Sequence, residues 1–207
     1  EISVLIMLLF LTVLIVCLFS ISSATYGVDV SQRTYESNFN CMVGDGYSFT
    51  VVRVYKSSGS PDSNGPGTIE DAWAGGMSYV DGYIFPCYSC GNAAQQMDDT
   101  ISYLASHNVK PFKTEKVQLG INETATPRDK KLGATYGMLW LDVEGTQYWS
   151  SSTSNNVNFL QEMVDEGEKQ GVALGIYSSA SQWNPIMGGS TKFSNYPLWY
   201  AHYDDNP

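Results

Sequence analysis

Two carboxylates at the end of an apolar run are the residues in this chain best suited to chemistry. Asp142 and Glu144 close a run that starts at Met138, and Gly145 follows them. The run has the length and composition of a buried strand, on which side chains two residues apart point to one face. Two acids placed in this way repel each other and are costly to remove from water. Hydrolysis of a glycosidic bond gives a reason for the placement, because it uses a carboxyl held protonated beside a carboxylate held ionised.

The chain around these acids alternates between strand-like and helix-like segments. The predicted strands cover residues 26–30, 49–55, 79–86, 138–143, 172–178 and 197–203, and the predicted helices cover residues 68–77, 92–107 and 156–170. Thr68 is the predicted N-cap of the first helix, and residues 57–67 before it are predicted to form a loop. The alternation favours a parallel sheet with helical crossovers.

The absence of a Gly-rich phosphate motif separates this pattern from a dinucleotide-binding fold. The sequence therefore predicts an α/β fold of the (β/α) barrel kind. A complete barrel would need about two more strands than these six, so the closing strands are expected to be missing from the chain.

Three acids are predicted at the carboxyl ends of strands, which form the rim where barrel enzymes carry their active sites. Asp29 ends the first strand, and Asp142 and Glu144 end the fourth. Each acid also has a structural interpretation. Asp29 could cap a helix or turn, Asp142 could form a buried ion pair with Arg53, and Glu144 could be a solvated loop acid. Convergence on one rim favours the functional interpretation of all three.

An apolar segment opens the chain. Residues 2–21 are almost wholly apolar, and Ser22-Ser23-Ala24 supplies the small residues of a cleavage site. Residues 1–24 are therefore predicted to be a secretory signal peptide, followed by one domain at residues 25–207. An uncleaved membrane anchor is the alternative, because the run is nearly long enough to span a bilayer. Cleavage would give a secreted, extracellular protein without stable membrane association.

Three cysteines remain after the predicted cleavage: Cys41, Cys87 and Cys90. The last two form a C-x-x-C motif that could close on itself, or one of them could pair with Cys41. A zinc site is disfavoured, because no second C-x-x-C motif or His pair accompanies the first. The sequence thus predicts a disulfide of undecided pairing, and neither a metal nor a cofactor.

Residues 111–135 form a long polar segment between a predicted helix and the fourth strand. A connection of this length is unusual in a compact domain unless it is functional or disordered. It is interpreted either as a long loop or as a spurious insertion. Asn122, in Asn122-Glu123-Thr124, is a predicted N-glycosylation acceptor, which suits an exposed loop.

The charge balance limits the partners. The formal net charge is −10, and no basic stripe is present, so nucleic acid is an unexpected partner. The same balance gives no electrostatic attraction to anionic bacterial walls. Binding to such a wall would depend on aromatic stacking and hydrogen bonds, for which 14 Tyr and 5 Trp residues are available.

Four segments in order resemble glycoside hydrolase family 25, the Chalaropsis-type lysozymes. They are Gly27-Val28-Asp29-Val30-Ser31, Leu139-Trp140-Leu141-Asp142-Val143-Glu144, Gly175-Ile176-Tyr177-Ser178 and Leu198-Trp199-Tyr200-Ala201-His202-Tyr203. The segments Cys41-Met42-Val43-Gly44 and Tyr83-Ile84-Phe85-Pro86-Cys87-Tyr88-Ser89-Cys90-Gly91-Asn92 most resemble the nematode members. The resemblance covers residues 26–110 and 136–207.

The resemblance implies an α/β fold of the modified TIM-type (β/α) barrel. It also implies an N-acetylmuramidase that cleaves the β-1,4 bond between N-acetylmuramic acid and N-acetylglucosamine in bacterial peptidoglycan. Glu144 matches the family's general acid. Asp142 matches a carboxylate that supports the acetamido group or the developing oxocarbenium ion and is expected to stay ionised. Asp29 matches a further active-site acid, whose charge should raise the pKa of Glu144.

Three residues near strand ends, Arg53, Tyr177 and Trp199, are predicted to line the sugar subsites, with packing inside the barrel as the alternative. We expect a monomer that acts on ingested or invading bacteria. The competing hypothesis is a lysozyme-like protein that binds peptidoglycan without cleaving it.

Overall fold

A computed structural model describes residues 25–112 and 134–202, which form a curled parallel sheet with helices packed outside it. The strands are β1 (Tyr26–Val30), β2 (Tyr47–Lys56), β3 (Ser60–Pro61), β4 (Tyr79–Ile84), β5 (Val109–Pro111), β6 (Ala134–Tyr136), β7 (Met138–Asp142), β8 (Ala173–Ser178) and β9 (Leu198–Tyr200). The α-helices are α1 (Glu36–Gly44), α2 (Gly65–Ala74), α3 (Ala93–Ser106), α4 (Thr153–Lys169) and α5 (Ala180–Met187). Two 3₁₀ helices cover Tyr88–Cys90 and Thr146–Tyr148.

The main sheet has the order β1-β2-β4-β7-β8-β9, and every neighbouring pair in that order is parallel. Each successive long strand adds to the same side of the sheet, which is how a (β/α) barrel grows. The short β3 pairs antiparallel with the end of β2. The described sheet is a half-barrel, so the predicted α/β class and modified TIM-type barrel are confirmed.

The core lies between the sheet and the outer helices. In α3 the buried side chains at helical spacing are Ala93, Met97, Ile101 and Leu104, as their sequence pattern predicts. Two apolar residues of β7, Leu139 and Leu141, are also fully buried, and so is Val143 just after the strand. Burial of these residues holds β7 in the core and so positions Asp142 and Glu144 at the carboxyl end of the sheet.

Several element predictions need correction. Residues 57–67 are not one loop, because they contain β3 and the first turn of α2. Asn64, not Thr68, is the N-cap of α2, and Pro66 is tolerated because the first turn needs no donor there. The strand β7 ends at Asp142, so Glu144 follows the strand and does not share a strand face with Asp142.

The ends of the segment 111–135 are strands and not loop. Residues 109–111 and 134–136 pair as the parallel strands β5 and β6, and the Trp73 indole N–H donates to the Thr135 carbonyl at 2.7 Å. The predicted glycosylation residue Asn122 and the predicted signal peptide at residues 1–24 lie outside the described residues. Within 25–112 and 134–202, no helix is both long and apolar enough to cross a membrane.

The cysteine alternatives are resolved within the described chain. Cys87 and Cys90 form a disulfide, so the C-x-x-C motif closes on itself. Cys41 is a free, exposed cysteine on α1.

Candidate active site

The three predicted acids converge on one pocket at the carboxyl end of the sheet. This acid pocket has a volume of about 120 Å³ and is lined by Asp29, Tyr83, Asp142, Glu144, Tyr177 and Trp199. Five of the six residues that the sequence predicted for the site are therefore brought together. Arg53 is not part of the lining.

Strand register explains the row of side chains on one side of the pocket. Asp142 at the end of β7 pairs with Tyr177 of β8, which in turn pairs with Trp199 of β9. Residues paired across a parallel sheet share a face, so these three side chains lie side by side. The Trp199 ring packs edge-on against Tyr177, with centroids 4.7 Å apart. The row thus consists of a carboxyl followed by two aromatic rings. A sugar ring could pack on the aromatic rings while the carboxyl lies beside it.

Glu144 is held by the loop after β7 and not by the strand itself. The Trp149 indole N–H donates to the Glu144 carbonyl at 3.1 Å. The next residue, Gly145, has φ of 68°, which glycine adopts without strain, and its N–H donates to the Gln182 side chain at 2.9 Å. Contacts from both the loop and α5 therefore fix the backbone on either side of the acid.

The residue between the two acids is also anchored. The N–H of Val143 donates to the Tyr177 carbonyl at 2.9 Å, and the Ser178 hydroxyl donates to the Val143 carbonyl at 2.8 Å. Val143 itself is fully buried. The backbone from Asp142 to Gly145 is thus tied to β8 and α5, which limits the movement of both acids relative to the row.

Burial dominates the electrostatics of Asp142. The residue is only 5% exposed, and its Oδ1 has no hydrogen-bond partner among the described residues. Desolvation, followed by repulsion from Glu144 and Asp29, raises the pKa of Asp142 to about 8. Asp142 therefore keeps its proton at neutral pH in the free protein, which differs from the expectation that it stays ionised.

Glu144 is less buried than Asp142, and its pKa is also raised above the ordinary value. Desolvation is the larger cause of its raised pKa, and the charge of Asp29 adds to it. The expected direction is confirmed, but burial contributes more than the neighbouring acid that the resemblance singled out. Asp142 and Glu144 form a coupled pair, so their protons belong to the pair and not to either residue alone.

Tyr83, which the sequence prediction did not include, lines the same pocket from the neighbouring strand β4, one residue before that strand ends. Burial raises its pKa to about 12, with Arg53 opposing the shift and nearby aspartates adding to it. Its hydroxyl stays protonated and can donate a hydrogen bond into the pocket. A signal was present, since a Tyr close to the end of a predicted strand lies on the same rim as the acids.

Arg53 has a structural partner outside the pocket lining, and its predicted role in a sugar subsite stays a prediction. Its Nε donates to Asp62 Oδ2 at 2.8 Å, and the other oxygen of Asp62 accepts from the Asn64 N–H at the start of α2. The structural interpretation that paired Arg53 with Asp142 is therefore wrong. Arg53 instead links β2 to α2, and its charge lowers the pKa of Tyr83 in the pocket, against the larger effect of burial.

Outside this pocket, the described residues offer neither a second acid–base site nor a metal site in the places that follow. A cavity of about 410 Å³ between α5 and β9 has no Asp, Glu, Lys, Arg, His or Cys in its lining, so it lacks a carboxyl or imidazole for acid–base chemistry. Within the described residues, no group of three or more His, Cys, Asp or Glu side chains is arranged to hold a metal ion. The acid pocket is the place where the described chain offers catalytic chemistry.

A half-barrel with two carboxyls of raised pKa and aromatic rings on its carboxyl rim defines the class of barrel glycoside hydrolases. The sequence model of the family described as lysozyme-like protein 1 matches residues 20–126 and 121–207. Probable GH family 25 lysozyme 2 of Dictyostelium discoideum is 42% identical over 190 residues, which are 92% of this chain and 77% of that protein. Lysozyme-like protein 5 of Caenorhabditis elegans is 32% identical, over 94% of this chain and 80% of that protein.

Solved structures show the same fold. A muramidase from Trichobolus zukalii superposes with a TM-score of 0.63 at 21% identity, over 88% of this chain and 79% of that chain. A family GH25 lysozyme from Aspergillus fumigatus gives a TM-score of 0.62 at 20% identity, over 88% and 78%. The chain belongs to the glycoside hydrolase family 25 lysozymes.

Proposed function

We propose that this protein is a secreted N-acetylmuramidase that hydrolyses the β-1,4 bond between N-acetylmuramic acid and N-acetylglucosamine in bacterial peptidoglycan. The observation that carries the proposal is the pocket that holds Asp29, Asp142 and Glu144 together at the carboxyl rim. Relatives named as lysozymes and structural neighbours named as muramidases support the substrate class. The apolar segment before residue 25 supports secretion.

Glu144 is the proposed general acid. It lines the pocket, is more exposed than Asp142, and has a raised pKa that helps it to retain a proton. It would donate that proton to the glycosidic oxygen as the bond from this oxygen to the anomeric carbon breaks. Water then adds to the anomeric carbon and returns a proton to Glu144, which completes the hydrolysis.

Asp142 and Asp29 are the proposed supporting carboxylates. Because the pKa of Asp142 is raised in the free protein, the bound substrate has to favour the ionised form of this residue. An acetamido N–H that donates to Asp142 favours its ionised form and so moves the proton of the coupled pair toward Glu144. Binding would then select the productive arrangement, with Glu144 protonated and Asp142 charged. The negative charges of Asp142 and Asp29 stabilise the positive charge that develops at the anomeric carbon.

The experiment is hydrolysis of purified peptidoglycan by the full-length, folded protein between about pH 4 and pH 7, where carboxyl groups titrate. We expect the release of muramic-acid reducing ends and its loss in Glu144→Gln. Glu162→Gln makes the same chemical change at an exposed position of α4 and should leave the release unchanged. A folded parent that releases no reducing ends would refute the proposal. If that parent still binds peptidoglycan, the alternative of binding without cleavage would hold instead.

A further inference from the structure

A second pocket lies beside the acid pocket. This flanking pocket has a volume of about 220 Å³. Its lining consists of Ser57, residues 86–89 and residues 147–150. Two chain segments run from one pocket into the other. The end of β4 carries Tyr83 in the acid pocket and Pro86 to Ser89 in the flanking pocket, and the loop after β7 carries Glu144 and then Gln147 to Ser150. A bound chain that occupies one pocket is therefore directed along the other.

An aromatic pair stands at the flanking pocket. Phe85 and Tyr148 pack edge-to-face with centroids 5.1 Å apart, and both stand on the connecting segments. Tyr148 is 45% exposed, which leaves part of its ring open to a ligand. An exposed ring of this kind offers an apolar face and a hydroxyl, the combination that binding sites use for amphipathic ligands. A ring of a linear ligand can rest on the exposed part of Tyr148 in the flanking pocket.

The lining of the flanking pocket favours an uncharged, hydroxylated ligand. It has three aromatic rings together with the Ser57, Ser89 and Ser150 hydroxyls and the Gln147 amide, and it includes no Asp, Glu, Lys, Arg or His. Ligand pockets commonly combine apolar walls with a few polar groups, and this volume lies below the roughly 300–1,000 Å³ of sites for drug-sized molecules. A single sugar ring matches both the size and the chemistry.

One wall of the flanking pocket is held in place before any ligand arrives. The disulfide joins Cys87 to Cys90. The buried Gln96 side chain accepts from the Cys87 N–H at 3.0 Å and donates to the carbonyls of Cys87 and Gly91 at 2.8 and 2.7 Å. A wall fixed in this way lowers the ordering cost of binding.

We infer that the flanking pocket binds an N-acetylglucosamine ring of the peptidoglycan strand, beyond the two rings joined at the scissile bond. This inference rests on the proposed function. N-acetylglucosamine is the uncharged sugar of the strand, and it matches a lining without a cation to receive the lactyl group of a muramic acid. Binding energy from this remote ring supports the reaction at the acid pocket, so longer substrates gain rate as well as affinity.

The test compares peptidoglycan oligosaccharides of two, three and four disaccharide repeats as substrates. Ser89→Trp fills the flanking pocket from an exposed position, and Ser58→Trp places the same side chain on an exposed neighbour of Ser57, outside the lining. We expect Ser89→Trp to lower kcat/KM for the longest substrate roughly tenfold, or about 1.4 kcal/mol, and to spare the shortest. Gln147→Ala should give the same length dependence with less risk to folding. Equal losses at all lengths, or none relative to Ser58→Trp, would overturn the inference.

A binding measurement separates this inference from the proposed function. In the Glu144→Gln background, calorimetry with the four-repeat oligosaccharide should show weaker binding for Ser89→Trp than for Ser58→Trp. If the parent protein cleaves nothing and this difference persists, the muramidase proposal fails and the sugar site stands. If the parent cleaves peptidoglycan and the difference is absent, the sugar site fails and the muramidase proposal stands.

Discussion

At the residue scale, Asp142 determines how the acid pocket responds to pH. The folded protein holds the Asp142 proton up to a pKa of about 8, whereas the ordinary value is 3.8. Between these values the folded state binds more protons than the unfolded state at this site. The contribution of Asp142 to the free energy of unfolding therefore falls as pH rises through that range, and it levels off above about pH 8.

Asp142→Asn should remove this pH dependence. We expect the variant to gain stability relative to the parent as pH rises from about 4 to about 8, because the amide has no charge to bury. In a domain of this size, each 1 kcal/mol corresponds to about 2–4 °C in Tm. Thermal melts of both proteins across that pH range measure the difference. A constant difference between the two melting curves would contradict the burial argument.

Trp149 positions the general acid through the backbone, since its indole N–H donates to the Glu144 carbonyl. Trp149→Phe keeps a ring against Tyr88 and Phe159 but removes that donor. We expect kcat on the shortest cleavable substrate to fall roughly tenfold, with KM little changed, because misplacing the acid slows chemistry more than binding.

Trp183→Phe is the matched control for Trp149→Phe. It also loses an indole hydrogen bond, at 2.9 Å to the Ser190 carbonyl, but outside the acid pocket. It should reduce stability by about 1 kcal/mol and leave kcat unchanged. Equal effects of the two variants on kcat would show that Trp149 acts only through stability.

The acids were predictable from sequence and their neighbours were less so. Asp142 and Glu144 stand out because a buried strand has no folding reason to end in two carboxylates. Tyr83 and Trp149 reach the site through strand register and loop geometry, which depend on contacts between distant segments. The raised pKa of Asp142 likewise depends on how deeply β7 is buried, which its sequence pattern does not specify.

At the element scale, a buried asparagine joins α4 to its surroundings. The Asn156 side chain donates to the carbonyls of Ser150 and Ile186 at 2.9 and 2.8 Å and accepts from the Ser150 N–H at 2.9 Å. It thereby links the start of α4 both to the loop that follows Glu144 and to the end of α5.

Asn156→Ala should therefore destabilise the fold by about 3 kcal/mol, because it leaves buried backbone groups without partners. Asn158→Ala on the exposed face of the same helix should cost less than about 0.5 kcal/mol. Denaturant unfolding of both variants checks the difference. Similar midpoints for the two variants would mean that solvent replaces the lost hydrogen bonds.

The long amphipathic helices were predictable because their apolar residues recur at helical spacing, as in α3. The helix α5 was not predicted, since it is short and carries Pro185 in its interior. The strands β5 and β6 have three residues each and form only because segments more than 20 residues apart meet. No local pattern of so few residues indicates a strand.

At the scale of the whole molecule, net charge opposes the proposed substrate. The chain carries a formal charge of −10, and bacterial walls are anionic. Binding should therefore strengthen as salt is raised toward about 0.15 M, where charges are screened beyond about 8 Å. Co-sedimentation of Glu144→Gln with purified walls at low and physiological salt measures this trend. Weaker binding at higher salt would instead indicate a local cationic contact with the wall.

The fold class was predictable because strands and helices alternate along the chain, and the family resemblance set the type of barrel. The extent of curling was not predictable, since it follows from the accumulated twist of paired strands. Secretion and use of the Asn122 acceptor stay predictions, because they concern residues outside 25–112 and 134–202.

The parallel pairing of β5 with β6 sets a lower limit on the length of chain between them. Pro111 and Ala134 lie at opposite ends of the pair, and joining two parallel strands in this way takes about a dozen residues or more. No comparable upper limit exists, because each doubling of a flexible loop costs only about 0.6 kcal/mol. The fold therefore tolerates lengthening here far better than deletion, which makes this position a suitable place to insert a reporter domain or an affinity tag.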